Sequence, residues 1–129
     1  MHVNFVLRVK DQERRLFAKR ELYVGIRREW EKDSRVFFAS KTQADVLIGS
    51  GVFEEIIELG AMDEQERRLC LENNWYGRIV FERAERFLPP LPVQDTPLAG
   101  TRPALLHGLA VPEAQAAEID SLVASRIIS

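Results

Sequence analysis

The chain opens on alternation. Val3, Phe5 and Leu7 share one face and Asn4, Val6 and Arg8 the other, which predicts a strand over residues 3–9. Residues 11–18 follow as a short helix, with Asp11 placed to cap it and Leu16 and Phe17 as its inner edge. Residues 21–26 set Leu22 and Val24 against Tyr23 and end near Gly25 as a short strand. The charged stretch RREWEKD then reads as a loop with an exposed Trp30. In residues 34–40 (SRVFFAS), Val36 and Phe38 oppose Phe37 and Ala39, so both faces of this strand are apolar and both need cover. After the turn KTQ, residues 44–59 form its partner, interrupted by Gly49-Ser50-Gly51. Paired glycines inside a strand mark either a sharp bend, as small barrels need to close, or a gap that faces a ligand.

Gly60 ends that strand, and residues 62–73 form a surface helix whose start, Asp63-x-x-Glu66, has the spacing of a capping box. Residues 78–87 (RIVFERAERF) alternate as a strand with one wetter face. The following LPPLP is expected to stop it, because prolines at 89, 90, 92 and 97 lack the ladder donor and favour an extended edge. Residues 103–111 suit a short helix or a last strand equally. Pro112 then opens an amphipathic closing helix carrying Ile119, Leu122 and Val123 inward. Without repeats, low-complexity tracts or a linker, the pattern predicts one α+β domain over residues 1–129.

Composition leaves that picture intact: 46% hydrophobic and 29% charged residues are ordinary for a folded chain and argue against disorder. Cys70 is the single cysteine, so no internal disulfide can form, and the opening MHVNFVLRVKD does not look like a leader. A reducing, cytoplasmic setting is therefore expected, and no apolar run approaches the roughly 20 residues of a membrane span. Charge does change the picture. The net charge is −2, yet residues 8–35 hold ten Lys and Arg against six acids, so a segment of +4 sits in a remainder of −6. Fourteen of the eighteen cations are arginine, which suits bidentate contact with phosphate but is equally what genome composition or thermal adaptation produces.

The order of elements resembles that of the PUA-like group of small barrels, which includes the PUA, ASCH and EVE families. RRLFAKRELYVGIR (residues 14–27) is similar to the ASCH-type opening, a helix end and turn leading into a strand that ends in arginine. KDSRVFFAS (residues 32–40) and ADVLIGSGVFEEIIEL (residues 44–59) are similar to the group's next two strands, and LAVPEAQAAEI to the last strand and helix of EVE-type proteins. Phe17-Ala18 stands where the ASCH turn often has glycine, and Asp33-Ser34 replaces a Gly-Asp order. The resemblance, strongest to archaeal members of the group, implies a small open mixed β-barrel with flanking helices.

It also implies binding of RNA, or of modified bases in nucleic acid, through a basic cleft of the barrel, by a monomer or homodimer with no cofactor. That work needs cations for phosphates and aromatic faces for an unstacked base. Lys19, Arg20, Arg27, Arg28, Arg35 and Arg78 are the candidate cations, and Tyr23, Trp30, Trp75 and Tyr76 the candidate stacking residues. Tyr23 and Trp75 fit core or edge packing as well. Gly49, Ser50 and Gly51 would mark the mouth, with one cleft joining residues 19–28 to 75–78. Some ASCH proteins are thought to be amidohydrolases of acylated nucleosides that use lysine, threonine and glutamate. Lys19 falls at the lysine position, but Leu22 stands where the threonine is expected, leaving that set incomplete. A non-catalytic interaction domain pairing through the proline-rich edge at residues 88–98 is a third possibility. His2 and His107 are isolated, and a single cysteine leaves no zinc spacing, so no metal site is expected.

Overall fold

The two apolar faces of the central strand are what divide this molecule into layers. In the computed structural model, which describes residues 3–128, that strand is β3 (Arg35–Lys41), and Val36, Phe37, Phe38 and Ala39 are all fully buried. Phe37 and Ala39 join a core with Val6, Leu47, Phe87 and Leu91, covered by Ala116, Ile119 and Val123 of α3 (Glu113–Val123). Val36 and Phe38 point the other way, into a core with Leu7, Leu16, Leu22, Ile79 and Phe81. Burying a phenylalanine this completely contributes about 2–3 kcal/mol, so β3 anchors both layers.

The remaining strands are β1 (Asn4–Arg8), β2 (Glu21–Val24), β4 (Asp45–Glu58), β5 (Gly77–Pro92), β6 (Ala110–Val111) and β7 (Ile127–Ile128). They form one mixed sheet in the order β2-β5-β4-β3-β1-β6, with β7 paired to β5. Only β1 and β3 run parallel among the described pairs. The sheet curls without closing, an α+β fold built as a small open barrel, with α1 (Glu13–Lys19) and α2 (Glu64–Glu72) flanking it. No helix among the described residues is long and apolar enough to cross a membrane.

The glycines lie at the curl. Register shifts interrupt β4 against both neighbours near residues 47–55, and Gly49 and Gly51 are buried there. A Cβ on Gly49 would meet the Glu85 carbonyl at 2.4 Å and the Phe17 ring at 2.7 Å. A Cβ on Gly51 would meet the Arg83 carbonyl at 2.8 Å and the Phe38 ring at 2.9 Å. The space above these glycines is therefore filled by the protein's own aromatic rings, which corrects the expectation of an open mouth at Gly49–Gly51. Ser50, between them, is buried and accepts a hydrogen bond from Arg35.

Several boundaries differ from the sequence expectation. LPPLP does not stop β5: Leu91 and Pro92 pair with Leu47 and Val46, while Arg86 pairs with Gly49. Residues 87–90 therefore bulge opposite Ile48, and a bulge removes the need for the donors that Pro89 and Pro90 lack. Leu91, Val93, Thr96 and Leu98 are buried, so the proposed pairing edge is exposed only at Leu88–Pro90 and at Gln94 and Asp95. Asp11 does not cap α1; it takes φ 60° and Gln12 is the capping position, its side chain bonded to the Tyr23 backbone rather than to the helix. Asp63 does cap α2, its carboxylate accepting the Glu66 N–H at 2.8 Å. Both alternatives for residues 103–111 occur, a 3-10 turn at Pro103–Leu105 and then β6. Pro112 stands just before α3, and Leu122 is exposed rather than buried.

Candidate nucleic-acid interface

Parallel strands leave their carboxyl ends side by side, and here that end is open. Arg8 of β1 lies beside Ala39 of β3. The chain turns away from β1 at Asp11 into α1, while β3 runs on into its hairpin. Between these two departures and the segment at Pro103–Ala104 lies a cleft of about 1170 Å³. Arg8, Lys10, Arg14, Lys41 and Arg86 line it against Asp11 and Glu13, a balance of +3, with Ser40 and Thr42 adding hydroxyls. No aromatic side chain among the described residues lines it.

The five cations are not equivalent. Arg8 is a clamp: it grips Asp45 in bidentate fashion at 2.6 and 3.1 Å and donates to the Pro103 carbonyl at 2.8 Å. Arg86 is paired with Glu13. Lys10, Arg14 and Lys41 are exposed and have no ion-pair partner among the described residues, so their charge is free for a ligand.

The residues singled out from sequence are mostly engaged elsewhere. Arg20, left-handed at φ 58°, donates to the Glu82 carbonyl, and Arg28 donates to the Gly108 and Arg27 carbonyls. Arg35 is held by Asp120 and Ser50. Arg27 lies over the Tyr76 ring at 4.1 Å and reaches Glu58. Lys19 is exposed at the end of α1 and lines neither this cleft nor the acidic one described below. Trp30 is not the exposed side chain expected from its charged neighbours. It packs on Phe5 and Phe53 and donates its indole N–H to Tyr76. Tyr23 and Trp75 stack on each other at 4.7 Å. These contacts engage a face of each ring, and residues 19–28 and 75–78 do not line the basic cleft.

What gathers there is an ion network. Arg78 bridges Glu21 and Glu66, and Glu66 also accepts the Tyr23 hydroxyl at 2.7 Å. Burial and then the bond to Glu66 push the Tyr23 phenol up to about 12. Burial works against the Glu66 carboxylate, but the bonds from Tyr23 and Arg78 outweigh it and hold its pKa below the usual value. A second, acidic cleft of about 810 Å³ opens beside α2, with Asp63, Glu64, Glu66 and Glu72 against Arg68. Its sign repels a polyanion.

His107 stands behind the basic cleft. Its Nδ1 accepts the Arg8 backbone N–H at 2.9 Å, fixing the proton on Nε2. Burial, then the nearby Arg8 and Arg28 charges, lower its pKa. A histidine depressed in the folded state contributes stability that is present above its unfolded pKa of about 6.5 and is lost as pH falls. The urea midpoint should therefore decline between about pH 7 and pH 5, and His107→Asn, which keeps an acceptor but cannot titrate, should flatten that decline. An unchanged profile in the variant would remove His107 as its source.

None of the five cations lining the basic cleft was among the candidate site residues; Arg8, Lys10 and Arg14 figured only in the basic segment at residues 8–35, and Lys41 and Arg86 not at all. Their only signal was charge, and each sits alone among uncharged or mixed neighbours, far along the chain from Lys10 and Arg14.

No protein-family model matches the chain, and no curated protein sequence matches it. Its fold does have solved counterparts. The crystal structure of ASCH from Zymomonas mobilis is similar with a TM-score of 0.68 at 12% identity, over 91% of this chain and 93% of that one. A tyrosine-to-phenylalanine variant of the same Zymomonas mobilis protein gives 0.66 at 12% identity, over 91% and 96%. At this identity the likeness is one of fold, and it agrees with the ASCH-like open barrel expected from the sequence.

Proposed function

We propose that this protein binds single-stranded nucleic acid, RNA above all, by its phosphates in the cleft at the carboxyl ends of β1 and β3. The observation that carries this reading is the convergence there of Lys10, Arg14 and Lys41, none with an ion-pair partner among the described residues, in a cleft whose lining side chains sum to +3. Phosphate contacts release counterions, so affinity must fall with salt. The absence of aromatic lining gives no support to base stacking, so recognition of a modified base is set aside in favour of backbone contact. A hydrolytic reading needs Lys19 enclosed beside a carboxylate, and the exposed Lys19 gives it none.

The test is fluorescence anisotropy with a labelled oligouridine of roughly 12 nucleotides, since single-strand sites span about 4–16. Three phosphate contacts predict a slope of log K against log salt of about −2 between about 50 and 200 mM KCl. Lys10→Glu with Lys41→Glu should abolish most of the binding while leaving the thermal midpoint nearly unchanged, because both side chains are exposed. Binding that is absent, or insensitive to salt, would falsify the proposal.

A further inference from the structure

Arg86 differs from the cleft's other cations in how it is held. Its guanidinium lies over the Phe17 ring, 4.2 Å from the centroid. Phe17 is itself wedged, its ring over Gly49 and its edge against Phe38 at 6.1 Å and 83°. Stacking leaves the edge of a guanidinium free for planar, forked contact with an oxyanion, and holds it ready without further ordering. That edge faces one anion already. Nη1 of Arg86 donates to Glu13 Oε1 at 2.5 Å, and both side chains are about half exposed, at 41% and 47%. An ion pair so open to water is weak and exchanges readily. Glu13 and Arg86 both line the basic cleft.

We infer that the Arg86–Phe17 stack is a preformed phosphate subsite and that Glu13 occupies it until a ligand phosphate takes its place. The inference rests on the phosphate-binding reading of this cleft and adds a residue that limits affinity. Glu13 acts as a built-in competitor, so removing its charge tightens binding. The glycine at position 49 belongs to the same device, because only there can Phe17 settle low enough to carry Arg86.

The experiment compares Glu13→Gln with Glu54→Gln, which makes the same charge change at an exposed position outside the cleft. Glu13→Gln should bind oligouridine about 3–10 times more tightly at low salt, with a slope steeper by about 0.7, one more phosphate contact. Glu54→Gln should stay near wild type. Arg86→Lys, which keeps the charge but loses the stack, should weaken binding and cancel the gain from Glu13→Gln. Equal effects of the two glutamine variants would overturn the inference. A second readout separates it from the nucleic-acid reading: titration with inorganic pyrophosphate, followed at the Arg86 Nε–H resonance. A shift that saturates at lower pyrophosphate in Glu13→Gln supports the subsite even if oligouridine fails to bind. No shift in either protein overturns it.

Discussion

Gly49→Ala is expected to destabilise the protein by about 3 kcal/mol, at the upper end of what overpacking costs, through one methyl group. The methyl would lie 2.4 Å from the Glu85 carbonyl, and that atom belongs to the backbone of the paired strand β5, which cannot rotate aside. It would also press the Phe17 ring at 2.7 Å. Relief requires β4 and β5 to part at the curl, where the ladder is already irregular. Gly60→Ala provides the contrast, since a Cβ there meets nothing within 4 Å, and its effect should stay within about 0.5 kcal/mol. Urea unfolding of both variants measures the difference. If Gly49→Ala behaves like Gly60→Ala, close approach is not why position 49 is glycine. Partial unseating of Phe17 should also reduce oligouridine affinity in Gly49→Ala under conditions where it remains folded.

Arg78→Ala should cost about 2–3 kcal/mol at neutral pH. Removing the cation from a buried ion cluster costs more than the pair was worth, because the remaining carboxylates keep their desolvation without compensation. The side chains of Arg78, Glu21 and Glu66 are 18–19% exposed, so water moderates the full buried-pair figure. Glu21 retains Arg15 at 3.1 Å, which leaves Glu66 as the residue most affected. The sign with pH follows from the Glu66 carboxylate. Its folded pKa is depressed, so it contributes stability that is present above the unfolded value of about 4.3 and is lost as pH falls through the folded value. Without Arg78 that contribution disappears, and Glu66 becomes easier to protonate. The deficit of Arg78→Ala should therefore shrink as pH is lowered from about 6 to about 4. Adding Glu66→Gln should recover part of the loss at neutral pH. A deficit independent of pH, or purely additive effects of the two substitutions, would show that Arg78 acts by packing alone.

Much of the fold was legible because it depends on local periodicity. The alternation around Phe37 and Phe38 required two covered faces, and two cores flank β3. The Asp63 cap was readable because a cap and its partner lie three residues apart. The prolines of β5 were misread for a physical reason. Proline excludes a ladder bond, but the bulge opposite Ile48 takes Pro89 and Pro90 out of the β4 ladder, and a bulge depends on the partner strand. The aromatic candidates failed similarly. Trp30 lies in the most charged stretch of the chain, yet Phe5 and Phe53, distant in sequence, cover it.

The basic segment at residues 8–35 shows where the boundary falls. Its excess of arginine was plain, and Arg8, Lys10 and Arg14 do reach the cleft. Which cations stay free was decided by partners that only folding supplies: Asp120 for Arg35, Glu82 and Gly108 carbonyls for Arg20 and Arg28. The sequence by itself determined the strand periods, the Asp63 cap and the α+β class, because these follow from spacing along one chain. Tertiary structure alone decided which cations share the cleft. It placed Lys41 and Arg86 beside Lys10 and Arg14 by pairing β1 with β3 and β4 with β5, and the field of a cleft is a sum over distances in space, not along the chain.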